Sequence, residues 1–129
     1  MRRILTPDDL RKSDLAEVGW HPAEMSDYDE KPAETDGSTN CLFQFRLIDG
    51  PNKGAKVTRL INEKSLEHRT VQPLWVCLGI PKNAQGGYEL STELFKSKIG
   101  AKLKVYIKRG KSNQGNEFND VADYQPLAV

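Results

Sequence analysis

Residues 101–116 read AKLKVYIKRGKSNQGN, a strand pattern that carries five cations and no acid before it breaks into a polar, glycine-bearing loop. Alternation sends Leu103, Val105 and Ile107 to one face and Lys102, Lys104, Tyr106 and Lys108 to the other, with Arg109 and Lys111 entering the loop. The first face suits a core. The second suits a polyanion, because lysines attract a phosphate backbone and a base can stack on Tyr106, a combination that matches single-stranded nucleic acid. The outward face of an antiparallel sheet is polar in any case, so the surrounding sequence has to separate the two meanings.

Downstream, residues 117–124 read as a last strand. Upstream, Ser91, Thr92 and Glu93 cap a short helical turn, and residues 81–87 are loop. Residues 63–78 have helical spacing through Leu66, Val71, Leu74, Trp75 and Leu78, with Pro73 marking a break or the start of a second helix and Gly79 the end. Residues 41–48 alternate Cys41, Phe43, Phe45 and Leu47 with Gln44 and Arg46, and the turn cluster DGPNKG (49–54) returns the chain through residues 55–61 as a hairpin with a basic tip. Residues 17–25 form a candidate first strand anchored by Trp20. Residues 27–40, acidic and rich in Pro, Gly, Ser and Thr, are expected to be a long mobile loop. Thr6, Pro7, Asp8 and Asp9 give helix-start chemistry for a short helix ending near Ser13.

Three strands, an intervening helix and two more strands predict a mainly β, α+β fold: a five-stranded, OB-like Greek-key barrel plugged at one end by Leu74, Trp75 and Leu78. The alternative is an open sheet with one helix across it. At 129 residues the chain suits one domain. The expected division is an N-terminal helix or arm (1–16), the OB-like domain (17–126) with its acidic loop (27–40), and a short tail (127–129).

The formal net charge of +1 hides an uneven distribution. Residues 8–36 hold ten acids against Arg11, Lys12 and Lys31, whereas residues 37–129 hold fourteen Lys and Arg against eight acids. The body is therefore basic, as a nucleic-acid-binding surface would be. Cys41 and Cys77 lie in apolar contexts without metal-ligand spacing and read as buried small hydrophobes. Met1 to Leu5 is followed at once by Thr6-Pro7-Asp8-Asp9, unlike a signal peptide, and no run is long enough to span a membrane, so a cytoplasmic protein is expected. The acidic stretch lacks the ligand spacing of a calcium loop, and GxxxxGK[ST], HExxH and GxSxG motifs are absent, as is any suggestive partner spacing around His21 or His68. The expectation is a non-enzyme with no catalytic residues, metal site or cofactor.

The succession GWHPAE, FQFRLIDGPNKG, LGI, IGAKLKVYIKRG and NEFNDVADYQP resembles a family of small phage and prophage proteins related to single-stranded DNA-binding proteins, over roughly residues 19–126. The resemblance implies an OB-fold protein encoded near replication or recombination genes, acting in the bacterial host cytoplasm and binding single-stranded DNA without strong sequence preference. Its short tail ends apolar, unlike the acidic partner-recruiting tails common in bacterial single-stranded DNA-binding proteins. In an OB-fold the second and third strands and the loops after the first and fourth strands line the ligand groove. The expected groove cations are Arg46, Lys53, Lys56, Arg59, Lys102, Lys104, Lys108, Arg109 and Lys111, with only one of the adjacent Thr58 and Arg59 able to face it. Tyr106 is the leading stacking residue, joined by Trp20 and Tyr28; most of the aromatics are expected in the core, Phe43, Phe45 and Trp75 foremost. Two further expectations attach to the acids and to partners: the acidic loop lies over the basic groove or repels DNA from a wrong face, and the barrel alternatively serves as a module that docks on a replication or recombination enzyme. RNA in place of DNA, and self-association, are compatible with the same residues.

Overall fold

The computed structural model describes residues 15–34, 36–111, 114–115 and 117–127. The expected helix from Thr6 to Ser13 lies outside the described residues. Five antiparallel strands, β1 (Gly19–Pro32), β2 (Thr39–Leu47), β3 (Lys56–Asn62), β4 (Lys102–Lys111) and β5 (Glu117–Pro126), form one sheet in the order β3-β2-β1-β4-β5. A 3₁₀ turn (Glu63–Ser65) and two short helices, α1 (Gln72–Cys77) and α2 (Thr92–Ser97), join β3 to β4. Among the described residues no helix is long and apolar enough to cross a membrane.

The central strand is shared along its length. Residues 19–24 of β1 pair with β4, and residues 23–32 pair with β2, so the strand bends as it passes from one neighbour to the other. Ser26 is an extra residue at a bulge between the Met25–Phe45 and Asp27–Gln44 pairs, and its hydroxyl bonds the Gln44 main-chain and side-chain oxygens at 3.3 and 3.2 Å. Because the bulge resets the alternation, Met25 and Tyr28 both face the core while Asp27 and Asp29 face water. The sequence-based loop over residues 27–40 is corrected accordingly: residues 27–32 and 39–40 are strand, and the connection between them is closed by Ala33 N–H to the Ser38 carbonyl at 2.7 Å.

One face of the sheet wraps around its own core. Ala23, Met25, Phe43, Phe45, Leu103, Val105 and Ile107 are fully buried there. Phe45 on β2 meets Tyr124 on β5 at a centroid distance of 6.2 Å, although two strands separate them in the sheet, which requires strong coiling. The edge strands β3 and β5 approach through Arg59 Nη1 and Asp120 Oδ1 at 3.7 Å. No ladder joins them, so the sheet is not closed into a hydrogen-bonded barrel.

The helices cover one opening of this core. Pro73 sits in the first turn of α1, where a missing N–H costs nothing, so the helical spacing of residues 63–78 resolves into the 3₁₀ turn and α1. Gly79, at φ 72°, ends α1 in the left-handed region and lets the Ile80 amide reach the Trp75 carbonyl at 3.0 Å. Ser91 caps α2 by accepting the Leu94 amide at 3.1 Å. Trp75 from α1 stacks on Phe95 from α2 (5.3 Å, 23°), and Phe95 in turn touches Phe43 and Tyr28 at 5.1 Å each. Trp75 also donates its indole N–H to the Leu66 carbonyl at 3.2 Å. These rings, rather than the helices' intrinsic stability, hold two six-residue helices in place.

Candidate nucleic-acid interface

The side chains left on the outer face follow from the pairing register. Lys56, Arg46, Glu24 and Lys102 are successive cross-strand partners on β3, β2, β1 and β4 and form one row. Pro22, Lys104 and Gln125 form the next, and Trp20, Tyr106 and Asp123 the one after. Lys108 faces Asp120, and Gly110 faces Phe118, at the far end of β4. Directly opposed residues lie about 5 Å apart at Cβ. Arg46, Lys56, Lys102, Lys104, Lys108, Trp20 and Tyr106 thus share one surface, opposite the face that buries Leu103, Val105 and Ile107.

Trp20 and Tyr106 meet edge to face, with centroids 5.4 Å apart and planes at 77°. Trp20 remains 38% exposed, whereas Trp75 is 1% exposed. A half-exposed aromatic pair flanked along β4 by lysines offers a π surface and adjacent positive charge, the two requirements for holding an unstacked base and its phosphate.

The charge on this face is partly offset. Arg46 is paired with Glu24, and Lys108 lies 3.9 Å from Asp120, which Arg59 also approaches. Lys56, Lys102 and Lys104 make no ion pair with a described residue. The remaining outer surface of β2 and β3, Gln44, Thr58, Leu42 and Leu60, carries no charge. The cations therefore gather on β4 and at the β2–β3 turn, not along the β2–β3 face on which an OB groove is centred.

The other five expected site residues lie elsewhere. Arg59 shares the inner face with Phe43's row and reaches Asp120 at the β3–β5 edge; Thr58 is the neighbour that faces outward. Its guanidinium Nε and the Tyr124 hydroxyl are both buried without a hydrogen-bond partner among the described residues, and burial pushes the Tyr124 phenol up to about 12. Tyr28 is 4% exposed, tilted against Phe43 at 5.0 Å, and donates its hydroxyl to Glu30 Oε2 at 2.6 Å. Burial, with Cys41 and Glu30 nearby, raises its phenol well above the usual tyrosine range. It is a core residue, because the bulge turned it inward. Lys53 is exposed at the hairpin tip beyond Arg46 and Lys56; Arg109 and Lys111 follow the alternation of the core residues but lie past the last of them, exposed at the end of β4.

The acids of residues 27–36 do not cover the lysines. Asp27, Asp29 and Glu30 sit on the half of β1 that β4 does not reach, Glu34 and Asp36 lie beyond its end, and several are engaged locally. Glu30 accepts from Thr92 Oγ1 at 2.7 Å as well as from Tyr28, which holds its carboxyl below the usual range. Asp36 takes the Lys64 ammonium at 2.5 Å and the Ser38 hydroxyl, bringing it down to about 2.

Phe118 was missed by sequence reasoning. Not singled out among aromatics expected mostly in the core, it is 45% exposed and lies on the outer face over Gly110, where a Cβ would come within 2.4 Å of its ring. The signal was present in the order of the last two strands, since a strand glycine opposite an aromatic marks a ring lying down across the sheet.

The profile of a family described as a protein of unknown function, DUF669, matches residues 10–129. The chain belongs to that family. No curated protein matches it. The match extends over all five strands and both helices, the outer face included.

Proposed function

We propose that this protein binds single-stranded DNA with little sequence preference, in phage-type DNA replication or recombination, and that its sheet is an OB-like Greek-key barrel whose β3–β5 seam is bridged by side chains. The strand order, the bent β1 shared between β2 and β4, and the approach of Arg59 to Asp120 support the barrel reading, since such barrels are often partly open. The observation that carries the ligand is the Trp20–Tyr106 pair set between Lys104 and Lys108 on a solvent-facing sheet surface. Phosphates would meet Lys56, Lys102, Lys104 and Lys108, and bases would stack on the two rings.

Fluorescence anisotropy with labelled single-stranded and duplex oligonucleotides across a salt series tests this. Preference for the single strand is expected, with log affinity falling linearly in log salt at about 0.7 per neutralised phosphate. Equal affinity for duplex would remove the stacking component, and no binding at low salt would remove the proposal. A second reading, a module docking on a replication or recombination enzyme, is favoured by Glu24, Asp120 and Asp123 among the lysines, which suit a protein surface of mixed charge. Capture of such an enzyme that persists at high salt, with no oligonucleotide shift, would select it.

A further inference from the structure

The outer face of β4 carries a second aromatic position, separate from the Trp20–Tyr106 pair. Phe118 is the cross-strand partner of Gly110, and a Cβ at Gly110 would stand 2.4 Å from Phe118 Cζ and 2.6 Å from Cε2. The ring therefore occupies the space that a side chain at residue 110 would fill, lying across the neighbouring strand while keeping 45% of its surface in water. Gly110 and Tyr106 are four residues apart on β4, about 13 Å at the usual rise. Midway between them, on the same face, is Lys108.

We propose that Phe118, bedded on Gly110, is a second base-stacking station, so that a bound strand runs along β4 from Trp20–Tyr106 to Phe118 with Lys108 on an intervening phosphate. This rests on the single-stranded DNA reading above and adds to it a direction and a residue. A strand following this path crosses β1, β4 and β5, leaving the uncharged outer surface of β2 and β3 bare. Lys108 is held to Asp120 at 3.9 Å, loosely enough for a phosphate oxygen to take over the ammonium.

The test compares Phe118→Leu, which keeps apolar cover over Gly110 but has no π face, with Phe118→Tyr, which keeps the ring. The ligand is oligothymidylate, read by anisotropy and by quenching of Trp20 fluorescence, Trp75 being buried. Phe118→Leu is expected to bind about tenfold more weakly, the effect of one lost stack, with the melting temperature and the saturating quench unchanged. Phe118→Tyr is expected to bind as the parent does. Parent-like binding by Phe118→Leu, or equal weakening by both variants, overturns the inference while the parent's own binding leaves the function standing. Absence of binding by the parent overturns both. Should Phe118→Leu fail to fold, irradiation of the unmutated protein with an oligonucleotide containing 5-iododeoxyuridine decides: adducts on Phe118 as well as on Trp20 or Tyr106 support the second station, and adducts only on the latter pair overturn it.

Discussion

The two halves of β1 are one strand with two different occupations. Residues 19–24 lie against β4 and present Trp20 and Pro22 to the outer face; residues 27–32 lie against β2 alone and carry Asp27, Asp29 and Glu30 beside the aromatic core. In the first half the exposed side is where ligand chemistry accumulates. In the second, the buried side does the structural work through Tyr28, and the exposed acids are engaged at home. On the proposed function, a strand can thus be divided lengthwise into a binding part and a supporting part when it changes neighbours midway.

Variants can break that division, and the largest effect should come from the supporting part. Phe43 is fully buried opposite Tyr28 and touches Trp75 and Phe95, so Phe43→Ala should cost about 3–5 kcal/mol in urea unfolding; a loss under about 1 kcal/mol would mean that the ring cluster does not hold the helices. Tyr106→Ala, opposite the first half, should weaken single-strand binding by about 1–3 kcal/mol with little change in melting temperature. Loss of stability instead of affinity would erase the distinction. Tyr28→Phe removes the hydroxyl that Glu30 accepts and should cost about 1 kcal/mol of stability while leaving affinity intact. If affinity falls, the supporting half takes part in binding after all.

Smaller effects sharpen the picture. Lys104→Gln should lower the slope of log affinity against log salt by about 0.7, one phosphate contact, whereas Lys64→Gln, beside the acidic turn, should leave the slope alone. Asp36 releases its proton more readily folded than unfolded, so its contribution to stability is present above about pH 4 and fades as the pH falls toward its folded value of about 2. Asp36→Asn should therefore flatten the acid limb of a stability–pH curve over that window, lowering stability at neutral pH and leaving it unchanged near pH 2.

Much of this was legible in the chain. The β2–β3 hairpin, the Ser91 cap and the alternation of β4 obey local rules, and each stands where the residues put it. The illegible parts are those where a rule is interrupted or a distance is non-local. Strict alternation past Met25 would have sent Asp27 and Asp29 inward, so an acidic Pro-bearing stretch looked like loop; one inserted residue, Ser26, makes it strand. Arg59 looked like a groove cation because its neighbour's orientation was undetermined, and only the approach of β5 explains its place beside Asp120. Phe118 looked like core because its exposure depends on a glycine on another strand.

The bulge at Ser26 also fixes which kinds of change the gene can accept. Replacing Ser26 forfeits a hydroxyl's two bonds to Gln44, a modest loss. Deleting it would close the bulge and leave Met25 and Tyr28 two positions apart, both still facing inward on unchanged β2 partners, so the two faces survive and the local bend of β1 is what is lost. Members of the family should therefore vary in the identity of this residue, or lack it, and keep core side chains at the positions of Met25 and Tyr28.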